Sequence, residues 1–178
     1  MTPVVVAREH RCVSIEFTIR LATPADAPII AWHRARMWQD MGDLPDELFE
    51  TLRARAESFF RAAIISRDYV GWVAAPATDA ETIIAGAGVS LRDSLPSPRK
   101  MNGKTVGVTT GKLGLLINVF TEPEWRRRGV AMLLMQRVID WSHEQRLDRL
   151  ILHASDAGRP LYEKMGFRAT NEMRLENL

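Results

Sequence analysis

The chain has 178 residues with 24 basic and 22 acidic side chains, so its formal charge is only +2. Hydrophobic residues make up 46% and charged residues 26%, a composition that is ordinary for a soluble globular protein and excludes wholesale disorder. The near balance of charge demands no polyanionic partner, so any basic function has to come from a local cluster. Cys12 is the only cysteine, which excludes an intrachain disulfide and a cysteine-based zinc site.

The first residues show no clear period, and we expect residues 1–13 to be a loose leader before a single domain over residues 14–178. The apolar run from Val4 to Ala7 is shorter than a signal-peptide core, and charged residues follow it at once. No stretch approaches the roughly 18 apolar residues of a membrane span. These features predict a cytoplasmic protein.

A strand and two helices are predicted first. Alternating apolar residues from Val13 to Ala22 indicate the strand. Thr23 and Pro24 then form a typical helix start, and this helix should end near Gly42. A second helix is expected to follow Pro45, because apolar residues recur there at spacings of three and four. Its predicted buried stripe is Phe49, Leu52, Ala56, Phe60 and Ala63.

The middle of the chain is predicted to be mainly strand. The stretches DYVGWVAA and ETIIAGAGVSL indicate a hairpin, because the turn-rich PATDA separates them. The segment from Arg92 to Gly111 is rich in Pro, Gly, Ser and Thr, so we expect a long exposed loop. KLGLLINVFT is almost continuously apolar with β-branched members, which is typical of a central strand.

The last third alternates between helix and strand. A helix is predicted from Gly129 to Arg146, a short buried strand in DRLILHA and a short helix in AGRPLYEKM. FRATNEMRL is expected to form a final strand pair or one bent strand. The resulting order, β-α-α-β-β-β-α-β-α-β, predicts a mixed α/β (α+β type) sheet covered by helices.

Two stretches resemble phosphate-binding motifs but fail in detail. The segment from Gly107 to Leu113 has too few residues between its glycines for a P-loop, and a leucine stands where a hydroxyl should bind magnesium. The segment from Gly86 to Leu91 lacks the third glycine of the dinucleotide fingerprint and lies in a predicted strand. The histidines also show no ligand spacing, so we expect no metal site. They are His10, His33, His143 and His153.

The run of arginines before Gly129 has the context of an anion site. It lies between a buried strand and a helix, and the first N–H groups of a helix have no internal partner. A pyrophosphate can accept those N–H groups if no bulky side chain blocks it, and Gly129 and Ala131 are both small. The competing interpretation is a solvated basic loop with Gly129 easing a turn. Position alone does not decide between the two.

A second segment favours the anion site. Arg126-Arg127-Arg128-Gly129-Val130-Ala131 fits the pattern Arg/Gln-x-x-Gly-x-Gly/Ala, and Leu161-Tyr162-Glu163-Lys164-Met165-Gly166-Phe167 follows as Leu-Tyr-x-x-x-Gly-Phe. In this order the two motifs resemble the GCN5-related N-acetyltransferase (GNAT) superfamily. The resemblance covers about residues 113–167, and the opening TIRLATPADAPII is similar to the family's first strand and helix.

The resemblance implies a fold and a cofactor site. The fold would be a mixed, mainly antiparallel sheet of six to seven strands, flanked by about four helices and splayed at the cofactor site. Acetyl-CoA would be the co-substrate, with its pantetheine arm and acetyl carbonyl held by the strand before the arginines. The residues expected to bind it are Asn118, Val119, Thr121, Arg126, Arg127, Arg128, Gly129, Val130, Ala131 and Ser155. Ser155 stands where the family often has an asparagine.

The resemblance also implies a general acid. Tyr162 matches the family's usual acid, which protonates the departing thiolate, and a phenol held at hydrogen-bond distance can do so. The competing interpretation is a core tyrosine at the helix–sheet junction. The base is open. Glu122 is the tentative choice, with Glu124, Glu172 and His153 as alternatives, and Asn118 could instead orient the acceptor. Each also fits a solvated or satisfied polar residue.

The acceptor wall in this family is commonly the first two helices and their connection. Trp38 and Met41 lie there beside several acids, which would suit a cationic amine. The sequence therefore predicts N-acetyl transfer from acetyl-CoA to a primary amine of a small molecule or a peptide. A non-catalytic acyl-CoA-binding regulator and, with less support, a nucleic-acid-binding module are the alternatives. Dimers are common in the family, so a homodimer is one expected assembly.

Overall fold

The structure of the protein is a computed structural model that describes residues 17–173. The predicted leader, residues 1–13, and the start of the first predicted strand lie outside the described residues. The strands are β1 (Phe17–Leu21), β2 (Tyr69–Pro76), β3 (Ala85–Asp93), β4 (Pro98–Met101), β5 (Lys104–Val108), β6 (Lys112–Thr121) and β7 (Arg149–Leu152). The α-helices are α1 (Ala27–Asp40), α2 (Phe49–Ser66), α3 (Val130–Glu144) and α4 (Arg159–Lys164). Within residues 17–173, no helix is both long and apolar enough to cross a lipid bilayer.

Five strands form one sheet in the order β1-β2-β3-β6-β7. Neighbours are antiparallel except β6 and β7, which are parallel and joined through α3. The β4–β5 hairpin forms a separate two-stranded sheet. The predicted mixed, mainly antiparallel sheet flanked by four helices is therefore confirmed for the described residues, but the central sheet has five strands there instead of six to seven, because β4 and β5 pair with each other.

Helices cover both faces of the central sheet. On one face, α3 packs Leu134 and Val138 against Trp72 and Val89 of the sheet. On the other face, α1 and α2 form a second core around Phe60. The predicted stripe of α2 is confirmed at its centre, where Ala56, Phe60 and Ala63 are buried. The sheet therefore separates an α1/α2 side from an α3/α4 side.

The chain turns tightly from β1 into α1. The carboxylate of Asp26 accepts hydrogen bonds from the N–H of Thr23 at 2.7 Å and from its hydroxyl at 2.9 Å. Both terminal nitrogens of Arg20 also bind this carboxylate, each at 2.8 Å. The Arg20 guanidinium, followed by the Thr23 donors, lowers the pKa of Asp26 to about 2. The predicted helix start is confirmed, with a short 3-10 turn (Pro24–Asp26) leading into α1.

Two predictions about local structure are wrong. The expected loop from Arg92 to Gly111 contains the β4–β5 hairpin, whose turn places Asn102 (φ 50°) and Gly103 (φ 78°) in the left-handed region. An Asn-Gly pair is a strong hairpin signal, but the Pro, Gly, Ser and Thr residues around it are also typical of a loop. The expected final strand over FRATNEMRL is absent from residues 167–173, and its last residues lie outside the described part of the chain.

Candidate active site

Strand β6 carries a bulge opposite β3. Gly88 pairs with Ile117 and Gly86 with Phe120, so Asn118 and Val119 together oppose a single residue of β3. Asn118 adopts the left-handed conformation at φ 58°. Bulges re-aim side chains and interrupt pairing. Here the bulge lets Ile117 pack into the α1/α2 core while the next side chain, Asn118, also turns toward α1.

Beside the bulge, the sheet opens between β6 and β7. The two strands pair only from Leu113 to Leu116 on β6 and from Arg149 to Leu152 on β7. Strand β6 continues to Thr121 with β3 as its only partner among the described strands. The backbone of Val119 and Thr121 therefore lies where β7 has already diverged. This opening agrees with the splay that the sequence motifs implied.

The segment after β6 forms a row of free N–H groups. Arg127 (φ 63°) and Gly129 (φ 88°) are both left-handed, and Gly129 is the N-cap of α3. The first hydrogen bond within α3 runs from the N–H of Leu133 to the carbonyl of Gly129 at 3.2 Å. Among the described residues, the N–H groups of 127–132 find no acceptor. Such a row at the positive end of a helix is suited to bind an anion.

The arginine side chains are placed unequally around this row. Arg126 turns away from it, because its Nε donates to the carbonyl of Thr121 at 2.9 Å and its guanidinium forms an ion pair with Asp40 at the end of α1. Arg127 and Arg128 are exposed, and the guanidinium of Arg128 lies 5.0 Å from the ring centroid of Trp125. The backbone, more than the side chain of Arg126, forms the surface that is suited to bind an anion.

Val130 and Ala131 contribute to this surface through their backbone. The side chain of Val130 is buried in the α3 core. A Cβ atom at Gly129 would meet no protein atom within 4 Å, so the space around the Cβ position of this residue is open. The positive φ of Gly129 explains why glycine stands there.

Tyr162 lies on α4, half-buried, with its ring 6.0 Å from that of Phe167. Its hydroxyl finds no hydrogen-bond partner within residues 17–173, and burial raises its pKa. It also lines an open cavity of about 820 Å³ between β7, α4 and the residues that follow α4. Ser155 lies just before α4, where its hydroxyl accepts a hydrogen bond from the N–H of Gly158 at 3.2 Å. The Ser155 hydroxyl can still donate its own hydrogen.

Glu122 is held against α1. Its Oε1 lies 3.4 Å from Nε2 of His33, a buried residue that sequence reasoning set aside only as a metal ligand. Nε2 of His33 makes no hydrogen bond of good geometry within the described residues, but the nearness of this imidazole is the main cause that lowers the pKa of Glu122, and Trp32 and Arg36 add to it. Glu122 is therefore a carboxylate at neutral pH and a weaker base than an ordinary glutamate.

The other base candidates lie elsewhere. His153 and Glu172 face each other, with Nδ1 and Oε1 3.3 Å apart and both side chains about half exposed. Glu124 is exposed in the turn after β6. Asn118 is buried, its amide nitrogen donating to the carbonyl of Ile30 at 3.2 Å and its amide oxygen accepting from Arg34 at 2.9 Å. Asn118 therefore ties β6 to α1.

The α1–α2 connection is less acidic than its sequence indicates. Asp40 is shared between Arg36 and Arg126, and Asp46 accepts a hydrogen bond from Gln39. Met41 is exposed there, and the guanidinium of Arg34 lies 5.7 Å from the ring centroid of Trp38. In the described part of the chain, no group of three or more His, Cys, Asp or Glu side chains could hold a metal ion.

Comparison with known proteins shows what this architecture is similar to. The family model described as "Acetyltransferase (GNAT) domain" matches residues 99–177. An aminoglycoside N(6')-acetyltransferase type 1 of Stenotrophomonas maltophilia is 29% identical over 127 residues, which cover 71% of this chain and 68% of the relative.

Solved structures show the same fold. A GCN5-related N-acetyltransferase from Ralstonia eutropha JMP134 has a TM-score of 0.77 at 23% identity, covering 91% of this chain and 99% of the other. A predicted acetyltransferase from Clostridium acetobutylicum, solved with acetyl-CoA, has a TM-score of 0.71 at 28% identity, covering 91% of this chain and 96% of the other. These matches confirm the resemblance inferred from the two sequence motifs.

Proposed function

We propose that this chain, an acetyltransferase of the GNAT type, transfers an acetyl group from acetyl-CoA to a primary amine. The observation that carries the proposal is the row of free N–H groups at 127–132, next to the opening between β6 and β7. A relative of the same fold was solved with acetyl-CoA. The row of N–H groups and the opening between β6 and β7 together suit a long thioester with a pyrophosphate at one end.

The co-substrate would lie along β6 and end at α3. The N–H groups from Arg127 to Ala131 would bind its pyrophosphate, with the exposed charges of Arg127 and Arg128 beside it. The backbone of Val119 and Thr121 would hold the pantetheine arm, because β7 leaves that edge free. Ser155 would add one hydrogen bond through its hydroxyl. Residues 14–178 would form the single domain that performs this function.

Tyr162 would act as the general acid. When an amine attacks the thioester, the C–N bond forms, the C–S bond breaks and the thiolate needs a proton. Burial raises the pKa of Tyr162, so its hydroxyl is protonated at neutral pH, and no described residue competes for its hydrogen. A phenol of this kind can protonate a thiolate, whose conjugate acid has a pKa of about 8.5.

The ammonium form of the acceptor must lose a proton before it attacks. Glu122 remains our candidate for receiving that proton, directly or through water. Its lowered pKa makes it a modest base, so the expected contribution lies at the lower end of the 10²- to 10⁴-fold range of general base catalysis. Trp38 and Met41 would contact the acceptor from the α1–α2 connection. Because the curated relative is named for aminoglycosides, these amines belong in the first acceptor panel.

A thermal-shift measurement combined with thiol release tests the proposal. CoA at 100 times its dissociation constant should stabilise the protein by about 2.7 kcal/mol, because it binds only the folded chain. Thiol release should then depend on an added amine. Absence of CoA stabilisation would refute the proposal. CoA stabilisation without thiol release from any amine would favour a non-catalytic acyl-CoA-binding protein.

A further inference from the structure

Arg34 of α1 directs its charge toward the bulge of β6. Its Nη1 donates a hydrogen bond to Oδ1 of Asn118 at 2.9 Å, and its guanidinium lies 5.7 Å from the ring centroid of Trp38. The side chain is half-buried. A guanidinium has five N–H donors in a planar fork. The contact with Asn118 uses one of them.

No carboxylate neutralises Arg34 in the part of the chain that the structure describes. Ion pairs there join other arginines to acids, for example Arg126 to Asp40 and Arg20 to Asp26, but none includes Arg34. Burial lowers the pKa of Arg34, and the only titratable group that opposes this effect is the buried hydroxyl of Tyr69. Partial burial of a charge without a counter-charge carries a desolvation cost, which a bound anion would offset.

The position of Arg34 relates this charge to the proposed reaction. Its partner Asn118 is the bulge residue, and the next residue along β6 is Val119, at the edge left free by β7. In the proposed function this backbone holds the acetyl end of the co-substrate. The guanidinium lies on the α1/α2 side of β6, the side from which the acceptor would approach.

We propose that Arg34 binds a carboxylate of the acceptor, so that the substrate is a small amino acid-like amine and not a polycation. This inference rests on the proposed function. A carboxylate fits the planar fork of a guanidinium and would supply the missing counter-charge. A polycationic amine would instead meet an uncompensated positive charge.

A purely structural interpretation of Arg34 makes a different prediction. If Arg34 only ties α1 to β6, its replacement should affect all acceptors alike, because the same wall is disturbed for each. Arg34→Gln keeps a polar amide at this position but removes the charge. Arg34→Lys keeps the charge without the planar fork. Arg55→Gln is the matched control, because Arg55 is exposed on α2.

The experiment compares amino acids with their amides, which lack only the carboxylate charge, and adds a polycationic amine. Rates of thiol release are measured with free amino acids, with the corresponding amino acid amides and with an aminoglycoside. For the wild type we expect kcat/KM at least tenfold higher for the best amino acid than for its amide. Arg34→Gln should lower kcat/KM for that amino acid by about 10- to 100-fold, mainly through KM, and change the amide less than threefold. Arg34→Lys should retain part of the preference, and Arg55→Gln should retain all of it.

Two results would overturn the inference. One is a wild-type preference for the amide or the aminoglycoside, and the other is an equal loss for acid and amide in Arg34→Gln. Failure of the proposed function is distinct, because no amine would then be acetylated or CoA would not stabilise the chain. In that case calorimetric titration of the amino acids themselves into wild type and Arg34→Gln still tests whether Arg34 binds a carboxylate. Binding that is lost in the variant supports a carboxylate site, and absent or equal binding refutes it.

Discussion

Replacing Gly129 by alanine should lower both the stability of the protein and its affinity for CoA, and the two effects can be measured separately. Gly129 has φ 88°, and a Cβ there would meet no protein atom within 4 Å. The substitution therefore causes no clash, but a left-handed alanine costs roughly 1–2 kcal/mol. For a chain of this size each kcal/mol lowers Tm by about 2–4 °C, so we expect a decrease of about 2–8 °C.

The same methyl group should weaken CoA binding by a separate mechanism. It would stand at the N-cap of α3, within the row of N–H groups of 127–132, where in the proposed function the pyrophosphate would approach closely. Loss of one hydrogen bond to a charged group costs about 1.5–3 kcal/mol, which corresponds to a dissociation constant roughly 10- to 100-fold higher. Calorimetric titration of CoA measures this effect, and thermal unfolding without ligand measures the first.

Gly103→Ala is the matched control. Gly103 has φ 78°, lies in the β4–β5 turn and also has no protein atom within 4 Å of a Cβ. It should lose similar stability and bind CoA as the wild type does. Unchanged CoA affinity in Gly129→Ala, or an equal loss of affinity in the two variants, would refute a role of the N–H row in binding CoA.

Three other predictions concern single side chains. Tyr162→Phe should lower kcat by about 10²-fold or more with little change in CoA affinity, and unchanged kcat in a stopped-flow thiol assay would remove the assigned acid. Glu122→Gln should slow acetylation at neutral pH, and the loss of rate should become smaller as the pH approaches the pKa of the acceptor, because the free amine then needs no base. A loss of rate that stays constant with pH would mean that Glu122 acts only through its contact with His33. Asp26 has its pKa lowered from 3.8 to about 2 by Arg20, so its stabilisation is present above pH 4 and disappears as the pH falls toward 2. Asp26→Asn should therefore cost about 1–2 kcal/mol in urea unfolding at pH 7, after allowance for solvent screening, and almost nothing near pH 2; an equal cost at both pH values would contradict this origin.

The parts of the site that sequence predicts best are local in the chain. The strand, the turn and the helix start that form the N–H row lie in one contiguous segment, and Gly129 with its neighbours indicates an anion site without knowledge of the rest. The hairpin around Gly103 was equally local. Its Asn-Gly signal was outweighed by the Pro, Gly and Ser residues around it, which are also typical of loops.

Contacts between distant segments were beyond sequence reasoning. Arg126 was expected to add charge to the anion site, but it pairs with Asp40, 86 positions away. The contact between Arg34 and Asn118 spans 84 positions. Helical periodicity indicates which face of α1 is buried, but it does not say which strand that face meets. The bulge that brings Asn118 to α1 also has no pattern of its own in the sequence.

The most direct test of the proposed function is acetylation itself, followed by mass spectrometry of the acceptor. Wild-type protein is incubated with acetyl-CoA and the panel of free amino acids, amino acid amides and an aminoglycoside. We predict one N-acetylated product, formed in equal amounts with free CoA, and a much slower reaction with Tyr162→Phe. CoA binding without any acetylated amine, or equal product formation by wild type and Tyr162→Phe, would contradict the account.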